Sequence, residues 1–143
     1  MKKSDDPIVV EETFDKPVET VWKAITEVDQ MRQWYFDNIP DFKPELGFQT
    51  RFNVHNQGRD FMHIWKVLEV SPPKMIKYTW RFEEYEGDGF VVFELFEQGK
   101  QTRLKLTCEV LEDFPDDIPE FKRESGVAGW KYFINQSLKA FLE

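Results

Sequence analysis

Residues 126–143 read GVAGWKYFINQSLKAFLE, and the apolar members Val127, Trp130, Ile134, Leu138 and Phe141 recur at helical spacing. They fall on one stripe of an α-helix, with Lys131, Asn135, Lys139 and Glu143 on the opposite side. Just upstream the period is two: Leu104, Leu106, Cys108 and Val110 alternate with Arg103, Lys105, Thr107 and Glu109, as in a half-buried strand. A sheet with one apolar face must be covered, and this helix is long enough to cover it. The switch of period decides the fold.

Working back from the helix, strands and turn signals alternate. Residues 90–97 form a strand after the hairpin signal Glu86-Gly87-Asp88-Gly89. Residues 75–82 place Ile76, Tyr78, Trp80 and Phe82 on one face. Ser71-Pro72-Pro73 forces a turn, because a proline cannot donate to a ladder. Residues 61–70 are apolar on both parities through Trp65, and Asn56-Gln57-Gly58 turns them back onto 48–54, where Phe48, Thr50, Phe52 and Val54 share a face. Such short connections join antiparallel neighbours. Upstream, IVVEETF over 8–14 reads as a strand, Pro17 opens a helix carrying Val18, Val21, Trp22 and Ile25, and Asp29 caps a second short helix with Met31, Trp34 and Tyr35. Residues 38–47, with Pro40, Pro44 and Gly47, read as loop. The order β-α-α-β5-α predicts an α+β fold, a curved six-stranded antiparallel sheet wrapped around the C-terminal helix. Residues 1–6 read as a disordered tail and 7–143 as a single domain.

Composition bounds the chemistry. The 143 residues carry 27 acidic against 19 basic side chains, net −8, so nucleic acid is not the expected partner. The lone Cys108 forms no internal disulfide and fits a reducing compartment. No apolar run reaches membrane-span length and Lys2-Lys3 is followed by Asp5-Asp6 rather than a signal core, which predicts a cytoplasmic protein without membrane insertion. Only His55 and His63 are available for imidazole chemistry. Centring the turn on Gln57 and Gly58 pairs His55 with Asp60 and His63 with Phe52, which keeps the two rings apart. No zinc-like ligand spacing, nucleophile triad or phosphate-binding glycine loop is present. Cys108 reads as a small buried hydrophobe. Gly126 and Gly129 either bring the helix close to the sheet or leave volume for a ligand. Glu12 shares parity with Val10 and Phe14, so its carboxylate either points inward with a raised pKa or pairs with a nearby base. No metal, cofactor or catalytic residue is expected.

The 14 Phe, 5 Trp and 4 Tyr are many large rings for one domain. A twisted sheet wrapped on a helix tends to leave a hollow at one end, and a concave apolar hollow is the default ligand site. Trp34, Phe36, Phe48, Thr50, Phe52, Tyr78, Trp80, Trp130 and Ile134 are the candidate lining residues. They either surround such a pocket or fill a solid core.

Several ordered pieces resemble one family. Asp15-Lys16-Pro17-Val18-Glu19 leading into Val21-Trp22-Lys23-Ala24-Ile25-Thr26 and Trp34-Tyr35 resembles the opening of START-like (SRPBCC) domains related to the activator of heat-shock protein 90 ATPase. Val67 to Pro73 followed by Tyr78-Thr79-Trp80 is similar to that family's central hairpin. Gln101-Thr102-Arg103-Leu104-Lys105-Leu106 is similar to its last strand, and Gly129-Trp130, Phe133, Ser137-Leu138 and Leu142-Glu143 to its closing helix. Glu12, Lys16 and Leu46-Gly47 depart from the family's usual residues. The resemblance implies a helix-grip fold with a hydrophobic tunnel. Three functions follow from it. The first is a binding domain holding a small hydrophobic or amphipathic molecule, lipid or aromatic and polyketide-like, between sheet and helix. The second is a module that binds a chaperone or another protein, and the third a cyclase- or hydrolase-like enzyme using the same tunnel, which the absence of a convergent acid–base pair makes the weakest.

Overall fold

A computed structural model describes residues 1–143. Strand β1 (Ile8–Phe14) leads through Pro17 into helices α1 (Val18–Thr26) and α2 (Val28–Trp34). Glu27, not Asp29, is the N-cap between the two helices. Six strands follow, not five: β2 (Gln49–Asn56), β3 (Arg59–Ser71), β4 (Met75–Thr79), β5 (Arg81–Phe82), β6 (Asp88–Gln98) and β7 (Gln101–Glu112). They form one antiparallel sheet in the order β1-β7-β6-β4-β3-β2, with β5 beside β3. The expected strand 75–82 is broken at Trp80. Its first part pairs with the far end of β3, Val67 to Ser71, and its second with His63 and Ile64. The Thr79 hydroxyl bridges the break, accepting from the Lys66 amide and donating to the Ile64 carbonyl, both at 2.9 Å. A side chain thus replaces ladder bonds where the sheet bends.

The C-terminal helix covers the concave face. It runs as α3 (Arg123–Lys131), a π-helical stretch (Tyr132–Leu138) and α4 (Lys139–Leu142). Trp130, Ile134, Leu138 and Leu142 are its buried stripe, four residues apart throughout. In an unbroken α-helix that spacing drifts around the axis. The wider i→i+5 turn keeps it on one face, so Leu142 takes the buried place expected for Phe141.

The polar side of this helix is not simply solvated. Asn135 Nδ2 donates to the Glu11 carbonyl and Lys139 Nζ to the Thr13 carbonyl, each at 2.9 Å. Four helical residues rise about 6 Å and two strand residues about 7 Å, so the repeats match. The free edge of β1 is thereby occupied. Lys139 also pairs with Glu12 at 3.2 Å, so this carboxylate takes the solvent-side partner.

Residues 1–6, expected as a disordered tail, lie along the segment that follows β7. The Phe114 amide donates to the Met1 carbonyl at 3.0 Å and the Lys3 amide to Asp113 Oδ1 at 2.8 Å. The apolar Met1 side chain reaches the C-terminal helix beside Gly126, and its burial offsets the ordering entropy of a short segment. No helix is long and apolar enough to cross a membrane.

Candidate functional site

The register of the β2–β3 hairpin builds one end of the concave face. Asn56 pairs with Arg59 across the turn, His55 with Asp60 and Phe52 with His63, as the turn residues predict. On β3 the odd positions Phe61, His63, Trp65 and Val67 are all buried, and β5 sets Phe82 across from His63. The segment after β7 then folds back through a 3-10 turn, Pro119–Phe121, which brings Phe121 onto Phe61, Phe82 and Phe114. These four rings form a small second core, separate from the main one.

Between this ring cluster and α3 lies a cavity of about 270 Å³, partly open to solvent. Phe61, His63 and Phe82 come from the sheet, Phe36 from the loop after α2, and Trp80 from the break between β4 and β5. Trp130 and Phe133 come from the C-terminal helix, and Cys108 from β7. Two glycines of α3, Gly126 and Gly129, border this space. A Cβ at Gly129 would meet no atom within 4 Å, whereas one at Gly126 would sit 3.0 Å from Met1 Sδ and 3.2 Å from Ile8 Cδ1. Gly126 therefore serves close packing, and Gly129 leaves volume.

Three of the nine candidate residues, Phe36, Trp80 and Trp130, line the cavity; the other six do not. Trp34, Tyr78 and Ile134 belong to the packed main core. There Trp34 stacks on Tyr35 at 4.5 Å and donates through Nε1 to the Ala24 carbonyl at 2.7 Å. The Tyr35 and Tyr78 hydroxyls meet at 3.0 Å, and burial raises the pKa of both phenols. Phe48 packs edge-on against Phe42, and Thr50 is buried across from Trp65. Phe52 stands one layer back, stacked on the His63 ring at 5.0 Å. Thr50, Phe52 and Tyr78 share the inward parity of their strands but do not line the cavity.

The two buried titratable side chains on the cavity wall, His63 and Cys108, are neutral. His63 is only 5% exposed, and burial lowers its pKa to about 4 against a weaker opposing bond to the Phe61 carbonyl, so the imidazole is uncharged at neutral pH. Burial pushes the Cys108 thiol up to about 12, with Trp130 and Arg123 pulling the other way, so it stays protonated and unreactive. Two lining residues carry charge: Glu120, held by Arg59 at 3.3 Å and by Asn56 Nδ2 at 2.8 Å, and Met1, whose ammonium donates to the Phe121 carbonyl. No three His, Cys, Asp or Glu side chains converge as a metal would need. Glu12 does not line the cavity. A neutral apolar guest fits this space, and buried general acid–base chemistry has no charged pair to use.

A curved antiparallel sheet gripping a C-terminal helix, with a hollow between them, defines a START-like helix-grip domain. Residues 15–143 match the family described as Activator of Hsp90 ATPase homolog 1-like protein, and the chain belongs to that family. Protein CV1439 from Chromobacterium violaceum superposes with a TM-score of 0.78 at 21% identity, over 96% of each chain. Protein MLL2253 from Mesorhizobium loti does so with a TM-score of 0.71 at 28% identity, also over 96% of each. DynU16, from the dynemicin biosynthetic locus, gives a TM-score of 0.74 at 24% identity over 96% of this chain and 47% of that one. No curated protein matches.

Proposed function

We propose that this protein binds a small, neutral, ring-bearing molecule in the cavity between α3 and the sheet. The observation that carries this reading is the hollow itself: about 270 Å³ walled largely by aromatic rings, with Gly129 on its border. Interiors are close-packed by default, and an apolar cavity of about 150 Å³ already takes a benzene. This volume suits one or two fused rings better than a long acyl chain, which favours the aromatic alternative over the lipid. Affinity would come from ligand area removed from water, at roughly 25 cal/mol per Å² before the costs of association. The likeness to DynU16, a protein of the dynemicin biosynthetic locus, is in keeping with a small-molecule guest.

Titration with a panel of neutral bicyclic aromatics and straight-chain fatty acids, read through tryptophan fluorescence, tests the reading. Saturable quenching by the bicyclics and weaker or no response to the fatty acids is the expected result. Silence across the whole panel overturns it.

The family match favours a second reading, a protein-interaction module acting on the heat-shock protein 90 ATPase. Its readout is different: a change in the chaperone's ATP turnover on adding this protein. An unchanged turnover with no complex in a pull-down removes it.

A further inference from the structure

The cavity wall carries one strong acceptor that the protein leaves unused. The His63 ring is fixed from behind by Phe52, stacked at 5.0 Å, and from the side by Phe82, edge-on at 4.7 Å. Its Nδ1 lies 2.9 Å from the Phe61 carbonyl. A carbonyl only accepts, so the proton of the neutral imidazole sits on Nδ1 and Nε2 keeps its lone pair. Nothing in the protein hydrogen-bonds to that Nε2, and it is not sealed in by its neighbours.

Several other polar groups around the cavity already have partners. Ser125 Oγ donates to the Pro119 carbonyl at 2.9 Å, Asn56 Nδ2 donates to Glu120, and the Met1 amine donates to the Phe121 carbonyl. Cys108 is a weak partner at best. An apolar pocket with one oriented, vacant acceptor selects for a guest with one donor. Against His63 Nε2 a carboxylate would set lone pairs against lone pair and lose its water, so it is disfavoured at this nitrogen.

We infer that His63 Nε2 is the specificity anchor of the cavity, accepting a hydrogen bond from the hydroxyl or ring N–H of a compact aromatic guest. This rests on the proposed binding function and names the chemical class that function would take: phenol-like or indole-like molecules, not bare hydrocarbons or carboxylates.

The test compares three probes of one shape, 2-naphthol, naphthalene and 2-naphthoate, on the full-length protein. Calorimetry gives the affinities, and ¹⁵N NMR of the histidine ring nitrogens reports the bond. We expect 2-naphthol to bind about tenfold tighter than naphthalene, a ratio within reach of one net hydrogen bond, and naphthoate to bind weakest. The His63 Nε2 resonance moves upfield with 2-naphthol and stays put with naphthalene. In His63→Phe, which keeps a ring against Phe52, the tenfold preference collapses toward equality. The nitrogen shift in the unsubstituted protein remains decisive even where that variant is poorly folded. Equal binding of naphthol and naphthalene with an unmoved Nε2 resonance overturns the anchor and leaves the binding function standing. Failure of all three probes to bind overturns both.

Discussion

The two ends of the groove under the C-terminal helix use the same kinds of side chain and end up opposite in character. At the π-helical end, Trp34, Tyr35, Trp65, Tyr78 and Phe93 meet Ile134 and Leu138, and the last two are fully buried. At the α3 end, Phe61, Phe82, Phe121, Trp80 and His63 face Gly129, and a cavity remains. Ring content does not distinguish them. What the helix presents differs: the branched aliphatics Ile134 and Leu138 at one end, and Gly126 and Gly129 beside Trp130 and Phe133 at the other. One end of this domain is packed core and the other keeps a cavity.

The sharpest way to break that contrast is to truncate a ring at each end. Phe93→Ala, in the packed end, should cost about 3–5 kcal/mol in urea unfolding, because the surrounding atoms cannot close the void. Phe133→Ala, whose half-buried ring already borders empty space, should cost clearly less. Equal losses would mean that the two ends are packed alike.

Acid probes the site end through His63. The unfolded imidazole takes its proton near pH 6.5 and the folded one only near pH 4, so between these values the unfolded state binds more protons. Stability from this group is complete above pH 6.5 and falls by about 3 kcal/mol as the pH drops to 4. Urea midpoints across that range should show the slope in the native protein. In His63→Phe this contribution should be missing.

The smallest effect is the most telling about design. Gly129→Ala removes a helix-interior glycine and should raise stability by up to about 1 kcal/mol, while its methyl group intrudes on the cavity and weakens guest binding. Gly126→Ala should show no such gain, since its Cβ would press on Met1 and Ile8. Thermal melts paired with titrations separate the two glycines. A stabilising substitution that impairs binding is the mark of a site kept open at the expense of packing.

Much of the frame was readable before any coordinates. Asn56-Gln57-Gly58 predicts the pairing of His55 with Asp60 and of His63 with Phe52, and both occur. The stripe Trp130, Ile134, Leu138 predicts the covering helix, although the π turn moves its end from Phe141 to Leu142. The site was less legible. Phe36, Trp80 and Trp130 were among the candidates, but Phe61, Phe82, Phe121 and Phe133 were not. The stretch 113–121, DFPDDIPEF, has the acid content of a solvated loop. Its signal lay in the interleaved Phe114, Ile118 and Phe121, which turn inward as a second core. Nor does parity tell which inward ring meets a hollow. That depends on how far the helix backbone stands from the sheet at Gly129, a distance with no local signature in the chain.

The five tryptophans allow the central claim to be tested in a single spectrum. Trp80 and Trp130 line the cavity, while Trp34 and Trp65 are buried in the packed end. With saturating 2-naphthol, the indole N–H resonances of Trp80 and Trp130 should shift and those of Trp34 and Trp65 should hold still. Shifts confined to Trp34 and Trp65, or no shift at any indole, would contradict a guest cavity beside Gly129.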